Sequence, residues 1–288
     1  MDQKNKSWFW VPSLYYAEGL PYAFVMIVSV VMYKKLDISN SEIALYTSWL
    51  YLPWVIKPLW SPLVDILKTK RFWIIFMQLL IGAGLAGIAF TIPATNMFKY
   101  TLAFFWLIAF SSSTHDIAAD GFYMMGLSSH DQAWFIGIRN TFYRFAILTG
   151  QGLLVILAGK LENLYNNVSL AWSIVFGILA IVFVVFAFYH KWILPHPSED
   201  NNHEKFDLND VIKKILKIFL SFFKKPQIVL AVSFILFYRF GEAQLVKIAP
   251  LFMLDTMGMG GLGLSTSEYG FIYGTLGMIM LTLGGITG

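Results

Sequence analysis

Runs of apolar residues long enough to cross a bilayer recur along the whole chain, and they constrain its fold more than any other feature. A spanning helix takes roughly 20 such residues. Lipid offers backbone groups no hydrogen-bond partners, so only helices and closed barrels cross it. The pattern places spans at 8–33, 42–63, 72–93, 98–126, 133–159, 168–193, 227–254 and 267–288. Composition agrees: 57% of the residues are hydrophobic and 13% charged, whereas a soluble domain carries about a quarter charged residues. The expected class is an all-α polytopic membrane protein, with the bilayer as its first partner. The net charge of +4 is not gathered on a soluble face, so nucleic acid is not an expected partner. Without cysteine there are no disulfides and no thiolate metal sites. The opening "MDQKNKSWFW" lacks a signal-peptide cleavage pattern, so the first span is expected to remain in place.

Lysine and arginine set an expected orientation. With the N-terminus in the cytoplasm, Lys4, Lys6, Lys68, Lys70, Arg71, Lys191 and the lysines of the long connection all lie inside. The outer loops then hold only Lys34, Lys35, Lys99 and Lys160, as the positive-inside rule requires. That long connection, 195–226, starts as a polar linker. It ends in "VIKKILKIFLSFFKKP", whose apolar residues recur at helical spacing and predict an amphipathic interfacial helix. It divides the chain into a six-helix domain, 1–194, the linker, 195–226, and the start of a second domain, 227–288. A repeat supports the division. "YYAEGLPY" in the first span precedes Ser39-x-x-Glu42, and "FYRFGEAQ" in the seventh precedes Ser265-x-x-Glu268. Both Ser-x-x-Glu pairs have the spacing of a helix-start capping box, and their shared position points to two homologous halves. On that plan the second half is incomplete, and the expectation is a chain four helices short of twelve.

Several charges fall within spans: Lys57, Arg139, Arg144, Arg239 and Lys247, with Glu18, Asp116, Asp120 and Glu242. Such groups are costly in lipid and normally face a bundle interior or a wet cavity. Asp116 and Asp120 are four residues apart and share one face of the fourth span. Counting about 1.5 Å per residue from the turn near Ser129, Asp116 matches Arg144 in depth and Asp120 matches Arg139. Two ion pairs are therefore expected, with azimuth left open. The Asp120–Arg139 pair reads equally as a structural clasp, and the Asp116 pair more as a working one. His115 points about 100° from Asp116 and suits packing better than proton relay. Glu18 precedes Gly19 and Pro21, where a bend would expose backbone to a cavity. Arg239 and Glu242 can neutralise each other, and by the repeat they stand where Glu18 stands. Lys57, among Pro53, Pro58 and Pro62, has Asp65 or Glu18 as candidate partners. Aromatic neighbours such as Tyr15, Tyr16, Phe122, Tyr123 and Tyr143 offer stacking surfaces for a sugar-bearing or amphipathic solute.

Four stretches, "YYAEGLPY", "PWVIKPLWSPLVD", "THDIAADGFYM" and "GIRNTFYR", together with "FYRFGEA", resemble the AmpG-like branch of the major facilitator superfamily, relatives of the acetyl-CoA transporters. The resemblance implies a twelve-helix, proton-coupled importer in the bacterial inner membrane whose named member takes up anhydro-muropeptides. It places weight on Glu18, Lys57, Asp65, Asp116, Asp120 and Arg144. The likeness thins after Asp120, where Gly121, Phe122, Tyr123 and Met125 replace the family's usual residues, and in the short loop "DILKTKR". The leading expectation is a monomeric secondary transporter, not an enzyme and without cofactor, moving a small polar solute together with protons by alternating access. Other solutes, acyl-CoA-like compounds or nutrients, are the nearest alternatives. A non-transporting membrane fragment is a further alternative. An intramembrane metal centre built on His115, Asp116 and Asp120 lacks additional histidines nearby.

Overall fold

The computed structural model describes residues 3–197, 200, 213, 217, 220–221, 223–277, 279–280 and 283–284. Among them, helices are the only regular elements. α1 runs continuously from Gln3 to Lys35, with a wide π turn at Phe24–Val28 just beyond Pro21. α2 is a chain of pieces: Asn40–Trp49, Leu52–Ile56, the 3-10 turn Lys57–Leu59, and Ser61–Leu67. The unbroken span expected over 42–63 is therefore corrected. Pro53, Pro58 and Pro62 each remove a backbone donor and crowd the preceding turn, which ends a helix. α3 is Lys70–Thr91, α4 Met97–Gly126, and α5 Ser129–Tyr165 with a π turn at Thr149–Leu154. α6 is Val168–Ile193, α7 Ile228–Leu254, and α8 starts as Thr266–Tyr269 and continues as the π turn Gly270–Leu276. The amphipathic helix and most of the linker fall outside the described residues.

Caps explain the starts. Ser39, Thr69, Ser128, Asn167 and Ser265 each accept a backbone N–H from the first turn that follows. At Ser265 the full capping box with Glu268 closes, and Ser39 caps the equivalent helix in the first half. The α3 start has a second cap, because the Asp200 carboxylate accepts from Lys70 N at 2.7 Å and Arg71 N at 3.2 Å.

Among the described residues, five helices are long and apolar enough to cross a membrane: Ser7–Lys35, Lys70–Thr91, Ser129–Tyr165, Val168–Ile193 and Ile228–Leu254. α2 is broken by proline, and α4 is diluted by "SSSTHDIAAD" in its second half. α3 lies between α4 and α6, while α1 packs mainly on α5. The α1–α5 crossing is built from small residues at four-residue spacing. A side chain at Gly19 would meet Tyr143 O at 2.8 Å, and one at Gly150 would meet the Ala23 Cβ at 2.5 Å. Without glycine the backbones could not approach this closely.

The second half of α5 closes in the same way on α8, where glycines 152, 159, 270 and 274 leave no space for a Cβ. Polar contacts gather at this end. Asp255 takes a hydrogen bond from Asn40 at 2.8 Å and pairs with Lys34. Thr266 donates to Glu162 at 2.6 Å, and Lys247 donates to Thr47 Oγ1 at 3.2 Å. The two halves thus meet where α1 and α7 finish. Towards the other end α7 exposes its side chains, Phe237 and Tyr238 among them.

Candidate functional site

Between these ends lies a cavity of about 460 Å³, lined by Tyr15, Glu18, Tyr22, Tyr51, Trp54, Lys57, Asp116, Arg139, Asn140 and Tyr143. α1, α2, α4 and α5 each supply part of its wall. α1 contributes Tyr15, Glu18 and Tyr22 at three- and four-residue spacing, one helix face. The break in α2 delivers Lys57 at the opening of its 3-10 turn, and the Trp60 indole anchors the break by donating to Thr114 Oγ1 on α4 at 3.2 Å. Tyr16 holds α1 to α5 by donating to Thr149 Oγ1 at 2.9 Å.

Two charge clusters stand one above the other. In the first, Lys57 Nζ lies 3.7 Å from Asp116 Oδ2, and the Lys57 side chain is 33% exposed while that of Asp116 is 11% exposed. Asp116 Oδ1 and Glu18 Oε2 are buried with no hydrogen-bond partner among the described residues. In the second, Arg139 Nη2 lies 3.2 Å from Asp120 Oδ1, which also accepts from the Tyr15 hydroxyl at 3.1 Å. The Arg139 guanidinium sits 4.5 Å from the centre of the Tyr15 ring and 5.0 Å from that of Tyr123. Such cation–π contacts are worth about 0.5–2 kcal/mol each. Arg139 is therefore held from three sides, whereas the Lys57–Asp116 contact is longer and leaves Asp116 Oδ1 without a partner among the described residues.

The depth-matched Asp120–Arg139 pair forms as expected. The pair expected between Asp116 and Arg144 does not: Arg144 is exposed and has no ion-pair partner among the described residues. Arg139 and Arg144, five residues apart, point about 140° away from each other on a helix, so α5 cannot aim both at the α4 carboxylates. Lys57 takes the place of Arg144. Asp65, one of the partners suggested for Lys57, pairs with Lys70, whose stem fills the space beside Gly121. Arg239 and Glu242 pair with each other at 2.5 Å on an exposed face of α7 and do not line this cavity.

His115 faces away from the cavity. Its Nε2 meets Gln78 Nε2 at 3.0 Å, Gln78 Oε1 meets His190 Nδ1 at 3.0 Å, and His190 Nε2 meets Ser13 Oγ at 3.1 Å. This buried chain ties α4, α3, α6 and α1 together. Among the described residues, no three His, Cys, Asp or Glu side chains converge on a common point. Tyr22, Tyr51, Trp54 and Asn140 were not singled out by the sequence. For three of them the signal was proximity to the helix breaks, since Tyr22 follows Pro21 while Tyr51 and Trp54 lie either side of Pro53; Asn140, inside a regular helix, carried none.

The fold and site define a polytopic helical membrane protein with a charged central cavity, closed at one end by contact between two halves. The model of the Major Facilitator Superfamily matches residues 15–288, and the chain belongs to that family. Its curated relatives include a Rickettsia conorii protein that carries the AmpG 4 transporter name, 26% identical over 284 residues, covering 94% of this chain and 64% of the relative. They also include the anhydromuropeptide permease of Escherichia coli K12, 24% identical over 280 residues, covering 95% and 52%. The chain thus spans less than two thirds of the length of either. Among solved structures, a bacterial homologue of the human lysosomal transporter Spinster superposes with a TM-score of 0.69 at 15% identity, covering 99% of this chain and 61% of that one. That likeness shows the fold.

Proposed function

We propose that the chain forms the first six-helix domain, the linker and the start of the second domain of a monomeric secondary transporter. It imports a polar, sugar-bearing solute of cell-wall origin together with protons, across the bacterial inner membrane, with its N-terminus in the cytoplasm. The observation that carries this reading is the central cavity with its loosely paired Lys57–Asp116 contact and the partnerless oxygens of Asp116 and Glu18. The AmpG-type names among the relatives support the solute class. With the N-terminus inside, the closed end faces outward, so the described state is inward-facing. Transporters of this plan rock two halves about a site near the bilayer midplane.

In the proposed cycle, a proton on the Asp116 carboxylate removes the partner of Lys57, and the ammonium turns to a carboxylate on the solute. Tyr22, Tyr51 and Trp54 supply aromatic faces for a sugar ring, and Arg139, fixed by Asp120 and two tyrosines, supplies a second anion contact. When the solute leaves, Lys57 returns to Asp116 and the proton is released. Asp116→Asn imitates the protonated state. Solute binding is then retained while uptake loses its dependence on the proton gradient. Gradient-driven uptake at the unaltered level in this variant would falsify the coupling role. Uptake of labelled anhydro-muropeptide, compared with acyl-CoA-like and nutrient solutes, tests the solute class.

A further inference from the structure

A second feature lies on the lipid-facing side, between α3 and α6, at the end of the bundle where the chain begins. Here Phe72, Phe76, Leu79 and Phe188 form an apolar groove of about 360 Å³ whose rim carries Arg71 and Lys191. The rim is built rather than incidental. Arg71 Nη2 donates to the Lys191 carbonyl in the last turn of α6, which fixes the guanidinium across the mouth of the groove. Its Nε is buried and has no hydrogen-bond partner among the described residues. Lys68 adds a third cation, its Nζ 5.9 Å from the centre of the Phe72 ring. Among the described residues, one acid stands beside them: Asp200, whose carboxylate is occupied by the amides of Lys70 and Arg71. Counted over these described residues, the rim is net positive. Trp192, 86% exposed on the next position of α6, marks the depth of the headgroups.

We propose that this groove is a binding site for an anionic phospholipid, with the phosphate at Arg71 and Lys191 and one acyl chain along Phe72, Phe76 and Leu79. The shape selects a chain and the rim selects a negative headgroup. A zwitterionic lipid of the same chains brings the phosphate as well, but its headgroup cation offsets that charge and is repelled by the basic rim. The site is separate from the central cavity and does not depend on which solute is carried. Basic residues near an anionic headgroup contribute about a fivefold gain in affinity each.

Native mass spectrometry of the detergent-purified protein, titrated with phosphatidylglycerol or phosphatidylcholine of identical chains, tests this. The expected result is selective retention of phosphatidylglycerol, roughly fivefold weaker in Lys191→Gln, because that change keeps the carbonyl bound by Arg71 and removes one charge. Leu79→Trp, at a half-exposed wall position, fills the groove and is expected to lower retention with the rim intact. Melting curves of both variants establish that they are folded. Equal retention of the two lipids, no loss in Lys191→Gln, no loss in Leu79→Trp, or displacement by inorganic phosphate alone would each overturn the proposal.

Discussion

Lys57 and Arg139 both face α4 carboxylates, yet their settings differ enough to separate their roles. Arg139 has an ion pair and two ring faces, and its partner Asp120 is held by Tyr15 as well. The Asp120 side chain is 41% exposed, so its loss costs little through the pair itself, about 1 kcal/mol or less. Asp116 is more deeply placed, its side chain 11% exposed, and removing Lys57 leaves that charge with poor solvation. A double-mutant cycle of Lys57→Met and Asp116→Leu is expected to give a coupling of about 1–3 kcal/mol in thermal stability. The double variant should be more stable than Asp116→Leu predicts by simple addition. An additive cycle would remove Lys57 as the partner of Asp116. Depth along a helix was legible in the sequence, and it placed Asp120 opposite Arg139. Azimuth was not, because a count of residues along α5 carries no information on how that helix is rotated about its axis. The partner of Lys57 was hidden for a further reason: Lys57 projects from a proline-broken segment, to which no helical period applies.

Whole elements were more legible than their contacts. Apolar run length gave the positions of most spans to within a few residues, since a bilayer imposes a minimum on helix length. The break in α2 is visible in the sequence as Pro53, Pro58 and Pro62 inside one apolar run. The neighbour relations were less accessible. α5 follows α4 in the chain, yet packs mainly on α1, through Gly19, Ala23, Ala146 and Gly150. Gly150→Val forces branched carbon into the Ala23 Cβ at a site with no space, so a loss of about 1–3 kcal/mol is expected. The measurement is the shift in unfolding midpoint against Gly177→Val, where the added carbon meets nothing within 4 Å. Equal effects at the two positions would argue against a close-packed crossing. The chain His115–Gln78–His190–Ser13 binds four helices where sequence alone showed one isolated histidine. Gln78→Leu strips both imidazoles of a partner at once. Each buried polar group left unpaired costs about 1–3 kcal/mol, so Gln78→Leu should melt well below Gln78→Glu or Gln78→His, which keep polar atoms there. A melting temperature for Gln78→Leu equal to theirs would show that the chain contributes nothing.

At the scale of the whole molecule, the two halves are held at the closed end by polar groups rather than by apolar packing alone. Lys34 and Asn40 from the first half converge on Asp255 of the second, while Glu162 accepts from Thr266. Under the proposed alternating access such contacts suit the surface that parts and closes, because water can replace each hydrogen bond as it breaks. The Lys34 ammonium beside Asp255, helped by Asn40, holds the Asp255 carboxyl below the usual carboxylate range. The sign of the resulting pH dependence follows from linkage. A carboxyl whose value is depressed in the closed form stabilises that form above its free value, near 3.9, and loses the effect as pH falls through its depressed value. Closure is therefore expected to be constant through neutral pH and to weaken only below about pH 4. The sequence has no cysteine, so spin labels can be introduced at Lys35 and Met259, which border the same cleft as Asp255. Asp255→Asn should broaden the distance between the labels at pH 7 towards longer values. Lys34→Ala should do the same and also move the acid-induced opening upward in pH, because its partner then titrates nearer the free value. Labels that stay at one distance in both variants would show that the glycine-lined α5–α8 contact closes the molecule without help from the charge cluster.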